Sequence, residues 1–185
     1  MRKLVAANAV AIASTLIAAM PASAQQHAHA HGRLALDVAI DAQSITVQIE
    51  SPLDSFVGFE RAPRTDAERN RVADMVAGLN AADRLLQVDP RAECKLSKVE
   101  LESATLGLGG TKKPPEKPTG DSEHADIDIT AVFACAKAAD ARFIDTKPLF
   151  DAFKGIRTID AQVASAQGQS KRFLRPDSAR LSWGR

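Results

Sequence analysis

An α+β domain, with an antiparallel β-sheet or sandwich and two short helices, is the fold class that the hydrophobic patterning predicts. Three observations carry it. Most apolar runs alternate with period two, the mark of a strand with one buried face. Only two segments carry helix-start signals, one at Thr65 and one at Asp145. The order reads ββ, helix, ββ, helix, ββ, which departs from the regular βαβα alternation of a doubly wound parallel sheet.

The first residues stand outside that pattern. Arg2 and Lys3 are followed by a mostly apolar run from Leu4 to Ala19, and Pro21-Ala22-Ser23-Ala24 supplies small residues in an A-x-A arrangement. Residues 1–24 are therefore expected to be a secretory signal peptide. The apolar run is rich in alanine and shorter than the ~20 residues a membrane span needs, and no span is expected once the signal is removed. The exported chain is expected to begin at Gln25, with a histidine-bearing arm over 25–33 and a single domain over 34–185.

Leu34, Leu36, Val38 and Ile40 alternate with polar or small residues. After the break at Asp41-Ala42-Gln43-Ser44, Ile45, Val47 and Ile49 do the same, so this is a hairpin that Pro52 ends. Thr65-Asp66-Ala67-Glu68 has the spacing of a capping box, and Val72, Met75, Val76 and Leu79 recur at helical spacing. A helix over 66–80 follows. Residues 85–88 and 92–101 read as extended. Cys94 and Leu96 share one parity while Val99 and Leu101 take the other, which predicts a bulge between them. The Gly/Pro/Lys stretch 107–121 is expected to be a mobile loop. Ile127, Ile129, Ala131, Phe133 and Cys135 line one face of a strand. Asp145 caps a short helix that carries Pro148 in its first turn and presents Leu149, Phe150 and Phe153. Ile159, Ala161 and Val163 form a strand, Gly168 sits in the turn behind it, "KRFL" begins the return, and Leu181 and Trp183 close the chain as a last strand.

Lys and Arg number 24 against 23 Asp and Glu, a net charge of +1. That balance gives no electrostatic case for binding nucleic acid. The two cysteines, Cys94 and Cys135, are an even pair in a chain expected to be exported, and a disulfide is the simplest reading. A metal or redox pair is the rival, without the C-x-x-C spacing such pairs favour.

Two constellations carry chemistry. His27, His29 and His31 alternate, so in an extended chain their imidazoles project to one side. Imidazole suits zinc and also copper and nickel; the bland alternative is a polar leader. If Gln25 keeps a free amine, His27 in third position can complete a square-planar copper clamp, whereas cyclised glutamine would remove it. In "EHADID", His124, Asp126 and Asp128 share one strand face opposite Ile127 and Ile129. Zinc accepts such nitrogen and oxygen donors at ~2.0–2.2 Å, although charged residues are also ordinary on the solvent face of a half-buried strand. No H-E-x-x-H, G-x-S-x-G or Walker loop is present, and the chain is not expected to be an enzyme.

Assembled, these stretches resemble the ZrgA-like periplasmic proteins associated with bacterial zinc uptake. The likeness covers nearly all of the chain after the signal. It runs from "HAHAHGRLALDVAID" through "SPLDSFVGFERAP", its most specific block, to the cysteine of "AECKLSKVELE", the strand "HADIDITAVFAC" and the C-terminal "PLFDAFKGIRTIDAQVASAQGQSKRFL". It implies a periplasmic zinc-binding protein that captures zinc and assists an ABC-type importer, with the importer or its periplasmic binding protein as partner. It implies no reaction. The sequence departs from the family pattern at Arg61, where histidine is common, and in the 107–121 loop, which has three lysines and no histidine. The metal ligands expected are then His27, His29, His31 and His124, with Asp126 and Asp128. Gly58, Phe59, Glu60 and Pro63 are expected to be structural. A copper-handling protein and an envelope structural or assembly module are the alternative functions.

Overall fold

A computed structural model describes residues 31–110 and 125–184. The expected signal peptide, His27, His29, His124 and most of the 107–121 loop lie outside those residues.

Nine strands and four helices make up the described chain. They are β1 (Arg33–Ile40), β2 (Ser44–Pro52), α1 (Asp54–Val57), α2 (Asp66–Asn80), α3 (Ala82–Leu85), β3 (Gln87–Val88), β4 (Cys94–Glu102), β5 (Asp126–Cys135), β6 (Phe143–Asp145), α4 (Lys147–Ala152), β7 (Thr158–Ser165), β8 (Gly168–Leu174) and β9 (Arg180–Ser182). Six strands form one sheet in the order β4-β5-β2-β1-β7-β8, and β3-β6-β9 form a second. The α+β expectation holds: the chain is mostly sheet with a few short helices, one domain, and not a closed barrel.

The period-two alternation does what the sequence predicts. Leu34, Leu36 and Val38 of β1, Ile45, Val47 and Ile49 of β2, and Ile127, Ile129, Ala131 and Phe133 of β5 are all buried. They join one apolar cluster with Met75 and Leu79 of α2, Leu149 and Phe150 of α4, and Ile144 and Leu181 of the small sheet. Fully burying a side chain of this kind contributes ~1.5–3 kcal/mol, so this shared face dominates the stability of the fold.

The sheet is antiparallel except for one pair. β7 runs parallel to β1, with Leu34 beside Ile159 and Val38 beside Val163. Hydrophobic alternation shows which face a strand buries but not the direction of its neighbour. A parallel partner needs a long crossover connection, and the segment carrying β6 and α4 supplies the last part of it. The one-turn helices α1 and α3 were also not legible, because four residues are too few to show a helical period.

Local signals place the remaining elements well. The capping box of α2 is complete: Thr65 Oγ1 accepts the Glu68 N–H at 3.2 Å, and a Glu68 carboxylate oxygen accepts the Thr65 N–H at 3.3 Å. The bulge of β4 falls between Leu96 and Lys98, and the Ser97 hydroxyl donates to the Val132 carbonyl at 2.9 Å. Asp145 stands one residue outside the cap of α4; it accepts the Lys147 N–H at 2.9 Å, while Thr146 occupies the cap position. Cys94 and Cys135 are directly opposite each other on β4 and β5 and are joined in a disulfide.

Two outcomes follow. The disulfide closes a loop with a sequence separation of 41, so replacing both cysteines with serine should lower unfolding free energy by ~4 kcal/mol in urea denaturation. Glu68 is held at a pKa of about 2 by the Arg61 guanidinium and then by the Arg64 N–H. A depressed carboxylate stabilises the fold above its ordinary value of 4.5 and loses that contribution as pH falls towards 2. Glu68→Gln should therefore lower the melting temperature at pH 7, with the difference from wild type shrinking below pH 4.5 and gone under pH 2.

Candidate metal centre

The site begins where the hairpin ends. β1 and β2 pair with Ala35 opposite Glu50 and Leu36 opposite Ile49. The pairing runs from Ile40–Ile45 to Ala35–Glu50, so it brings the chain ahead of β1 to the end of β2, where α1 begins with Asp54. The His31 backbone is secured by Gly32, which adopts a left-handed φ of 77°. Its carbonyl accepts the Arg157 N–H at 2.8 Å and the Thr158 N–H at 3.1 Å. The chain leading into β1 is thus stitched to the start of β7.

Asp54 is the first residue of α1. The fully buried Leu53 before it donates its N–H to the Ala125 carbonyl at 2.7 Å, which fixes the helix against the start of β5. Helix α1 lasts one turn because Gly58 takes a left-handed φ of 82° and returns its N–H to the Asp54 carbonyl at 2.8 Å. A residue with a Cβ is strained in that conformation, so glycine is the fitting stop. The reversal carries Phe59 and Glu60 back beside Asp54. Arg71 holds the end of the turn, donating to the Val57 carbonyl at 3.0 Å. Arg61 lies over the Phe59 ring, 5.1 Å from its centre, while its guanidinium pairs with Glu68.

These constraints bring one imidazole and two carboxylates together. His31 Nδ1 is 2.5 Å from Asp54 Oδ2 and 3.4 Å from Glu60 Oε1. The donor atoms of the three residues all lie within 4.8 Å of one another. The carboxylate side chains are shielded, 22% and 14% exposed, whereas His31 is 69% exposed. The floor of the site is therefore anionic and the imidazole is its open wall. The hydrogen bond to Asp54, then the charges of Asp54 and Glu60, raise the His31 pKa above 6.5. A proton on Nδ1 occupies the place a metal would take. Neutral imidazole and two carboxylates form an N/O donor set of the kind zinc accepts, with room for a further ligand from the solvent side.

Among the described residues, His31 is the one expected donor in this group. Asp126 and Asp128 sit on β5 and are not part of it. Asp128 stands directly between Glu50 of β2 and Glu102 of β4. Partial desolvation on the sheet face, then Glu50, Asp126 and Glu102, push its pKa up. That row attracts cations but brings no imidazole among the described residues. His27, His29 and His124 lie outside the described residues.

Asp54 and Glu60 were missed. The block "SPLDSFVGFERAP" carries the resemblance most specifically, yet from sequence Glu60 reads as structural and Asp54 has no assigned role. The hairpin, which brings the start of β1 to the end of β2, was the available signal for Asp54. Glu60 had only Gly58 as a hint that the chain doubles back.

Comparison with known proteins adds one finding. The family model described as "ZrgA family zinc uptake protein" matches residues 28–183, most of the chain. No curated protein matches it. Among the described residues, no helix is long and apolar enough to cross a membrane.

The His31 contacts give a measurable outcome in metal-free protein. A raised histidine pKa stabilises the fold fully below pH 6.5, and that contribution is lost as pH rises through the folded-state value. In an NMR titration, Asp54→Asn should bring the His31 pKa back towards 6.5.

Proposed function

This chain belongs to the ZrgA family of zinc uptake proteins, and we propose that it is a periplasmic zinc-binding protein whose metal is held by His31, Asp54 and Glu60. The observation that carries this reading is the convergence of those three donors within 4.8 Å. His27 and His29, two and four residues upstream of His31 in the chain, supply further imidazoles of the same kind. His124, Asp126 and Asp128 are proposed as auxiliary donors that raise the local concentration of metal.

Capture and release both follow from the donor set. Two carboxylates and a neutral imidazole offset the charge of a divalent ion, and binding expels the Nδ1 proton. An ion with three protein donors and an exposed imidazole keeps a position open to an incoming ligand, so a partner can draw the metal away by exchange. The partner proposed is an ABC-type zinc importer or its periplasmic binding protein. The chain is proposed to be a binding protein and not an enzyme. The signal-like residues 1–24 and the disulfide support a compartment outside the cytoplasm, where disulfides persist.

Calorimetric titration of the protein beginning at Gln25 tests the reading. Zinc should bind at pH 7.5, and Asp54→Asn or Glu60→Gln should each weaken it by about tenfold or more, in the range seen when a metal's supporting groups are lost. Asp128→Asn should change it far less. Affinity should fall with pH as the proton reclaims His31. Equal zinc affinity in wild type and the Asp54→Asn, Glu60→Gln double variant would reject the site. A tight copper complex that disappears on blocking the N-terminal amine would favour the copper reading instead.

A further inference from the structure

Two of the three donors are attached to backbone that packs on the same glycine. Gly155 lies in the turn between α4 and β7. A Cβ added to it would sit 2.3 Å from the Ser55 carbonyl oxygen and 2.9 Å from the Ser55 carbonyl carbon, and Ser55 follows Asp54. On the other side, a Cβ added to Gly32 would sit 2.9 Å from the Gly155 carbonyl oxygen, and Gly32 follows His31. The backbone at Gly155 is therefore a spacer between the Gly32 and Ser55 segments. No atom beyond a hydrogen fits on its Ser55 side, because contacts under 3.0 Å with backbone force something to move.

The spacer is itself anchored. Ile156, next to it, is buried, and its N–H donates to the Phe153 carbonyl at 3.1 Å. The Phe153 ring meets Phe56 of α1 edge to face, with centres 4.9 Å apart. Arg157 and Thr158 then bond the Gly32 carbonyl. The turn is fastened to both donor-bearing segments and cannot follow one of them freely.

We propose that Gly155 is a positioning residue for zinc: its bare backbone sets the separation between His31 and Asp54. The proposal rests on the reading of His31, Asp54 and Glu60 as the zinc site. A side chain at this position pushes Ser55, and with it Asp54, away from Gly32 and His31. The donors then meet the ion at the wrong distance although none of them has been altered. Effects of this kind are steep, because metal geometry tolerates only small departures from its preferred distances.

The experiment compares Gly155→Ala with Ile144→Val, a mildly destabilising change in the small sheet. Zinc affinity is read by competition with a chromophoric chelator, and site geometry by the visible absorption of bound Co(II). Gly155→Ala is expected to weaken zinc by about tenfold and to change the intensity and position of the Co(II) bands. Ile144→Val is expected to lower the melting temperature and leave both metal readouts unchanged. In an Asp54→Asn background, Gly155→Ala is expected to add no further loss, because the donor it positions is already gone. Unchanged affinity and Co(II) spectrum in Gly155→Ala would overturn the proposal, as would a full tenfold loss that persists in Asp54→Asn. If Asp54→Asn alone leaves zinc affinity untouched, the site reading fails, and the proposal with it. Should Gly155→Ala not fold, wild-type protein decides by NMR: zinc must shift the Gly155 and Ser55 amide signals with the midpoint of the His31 signal, and their indifference overturns the proposal.

Discussion

Strand β1 is held from both sides, by β2 through a tight hairpin and by β7 from the far end of the chain. Without β7, the antiparallel half β4-β5-β2-β1 would end in an exposed edge, with Leu34, Leu36 and Val38 covered on one flank only. The parallel pairing places Ile159, Ala161 and Val163 in the same buried layer. It also extends beyond the strand proper, because the Gly32 carbonyl takes two N–H groups from the start of β7. The backbone just ahead of β1 is thereby fixed beside the start of β7. The core and the metal centre therefore depend on the same pairing, made between segments distant in sequence. The entropy of closing so long a connection is offset by the apolar area that the layer buries.

The site gathers its donors by three separate devices. His31 is delivered by the β1 clamp, Asp54 by the first turn of α1, and Glu60 by the left-handed reversal at Gly58. Placing two partly shielded carboxylates side by side is unfavourable unless a cation joins them. His31 faces both carboxylates, and its hydrogen bond to Asp54, then the charges of Asp54 and Glu60, raise its pKa above the ordinary 6.5. A zinc ion held there, as proposed, would compete with the proton for one position, which would couple occupancy to pH through ordinary linkage.

The outer face of the large sheet adds a second electrostatic feature. Glu102, Asp128 and Glu50 stand in register across β4, β5 and β2. Like charges directly opposite on a sheet are destabilising, and the upward shift at Asp128 reflects partial desolvation and then that repulsion. Such a row attracts cations within about a Debye length, ~10 Å at 0.1 M salt. It lies towards the end of the hairpin where β1 begins and β2 ends.

The sequence by itself determined the strands with one buried face, because period-two alternation is a local property that each of β1, β2, β5 and β7 displays. It determined α2 through a capping box, the bulge of β4 through a change of parity, and the pairing of the two cysteines through their being an even pair in a chain that reads as exported. It picked out His31 as a donor by its residue type. Tertiary structure alone decided that β7 runs parallel to β1, because alternation is blind to strand direction. It alone brought the candidate metal donors together. Asp54 and Glu60 lie six residues apart in the chain and meet only because Gly58 turns left-handed. His31, 23 residues from Asp54 in the chain, reaches it only because the hairpin brings the start of β1 to the end of β2, where α1 begins. Donor type is written in each residue, whereas donor distance is set by backbone that other parts of the chain hold in place.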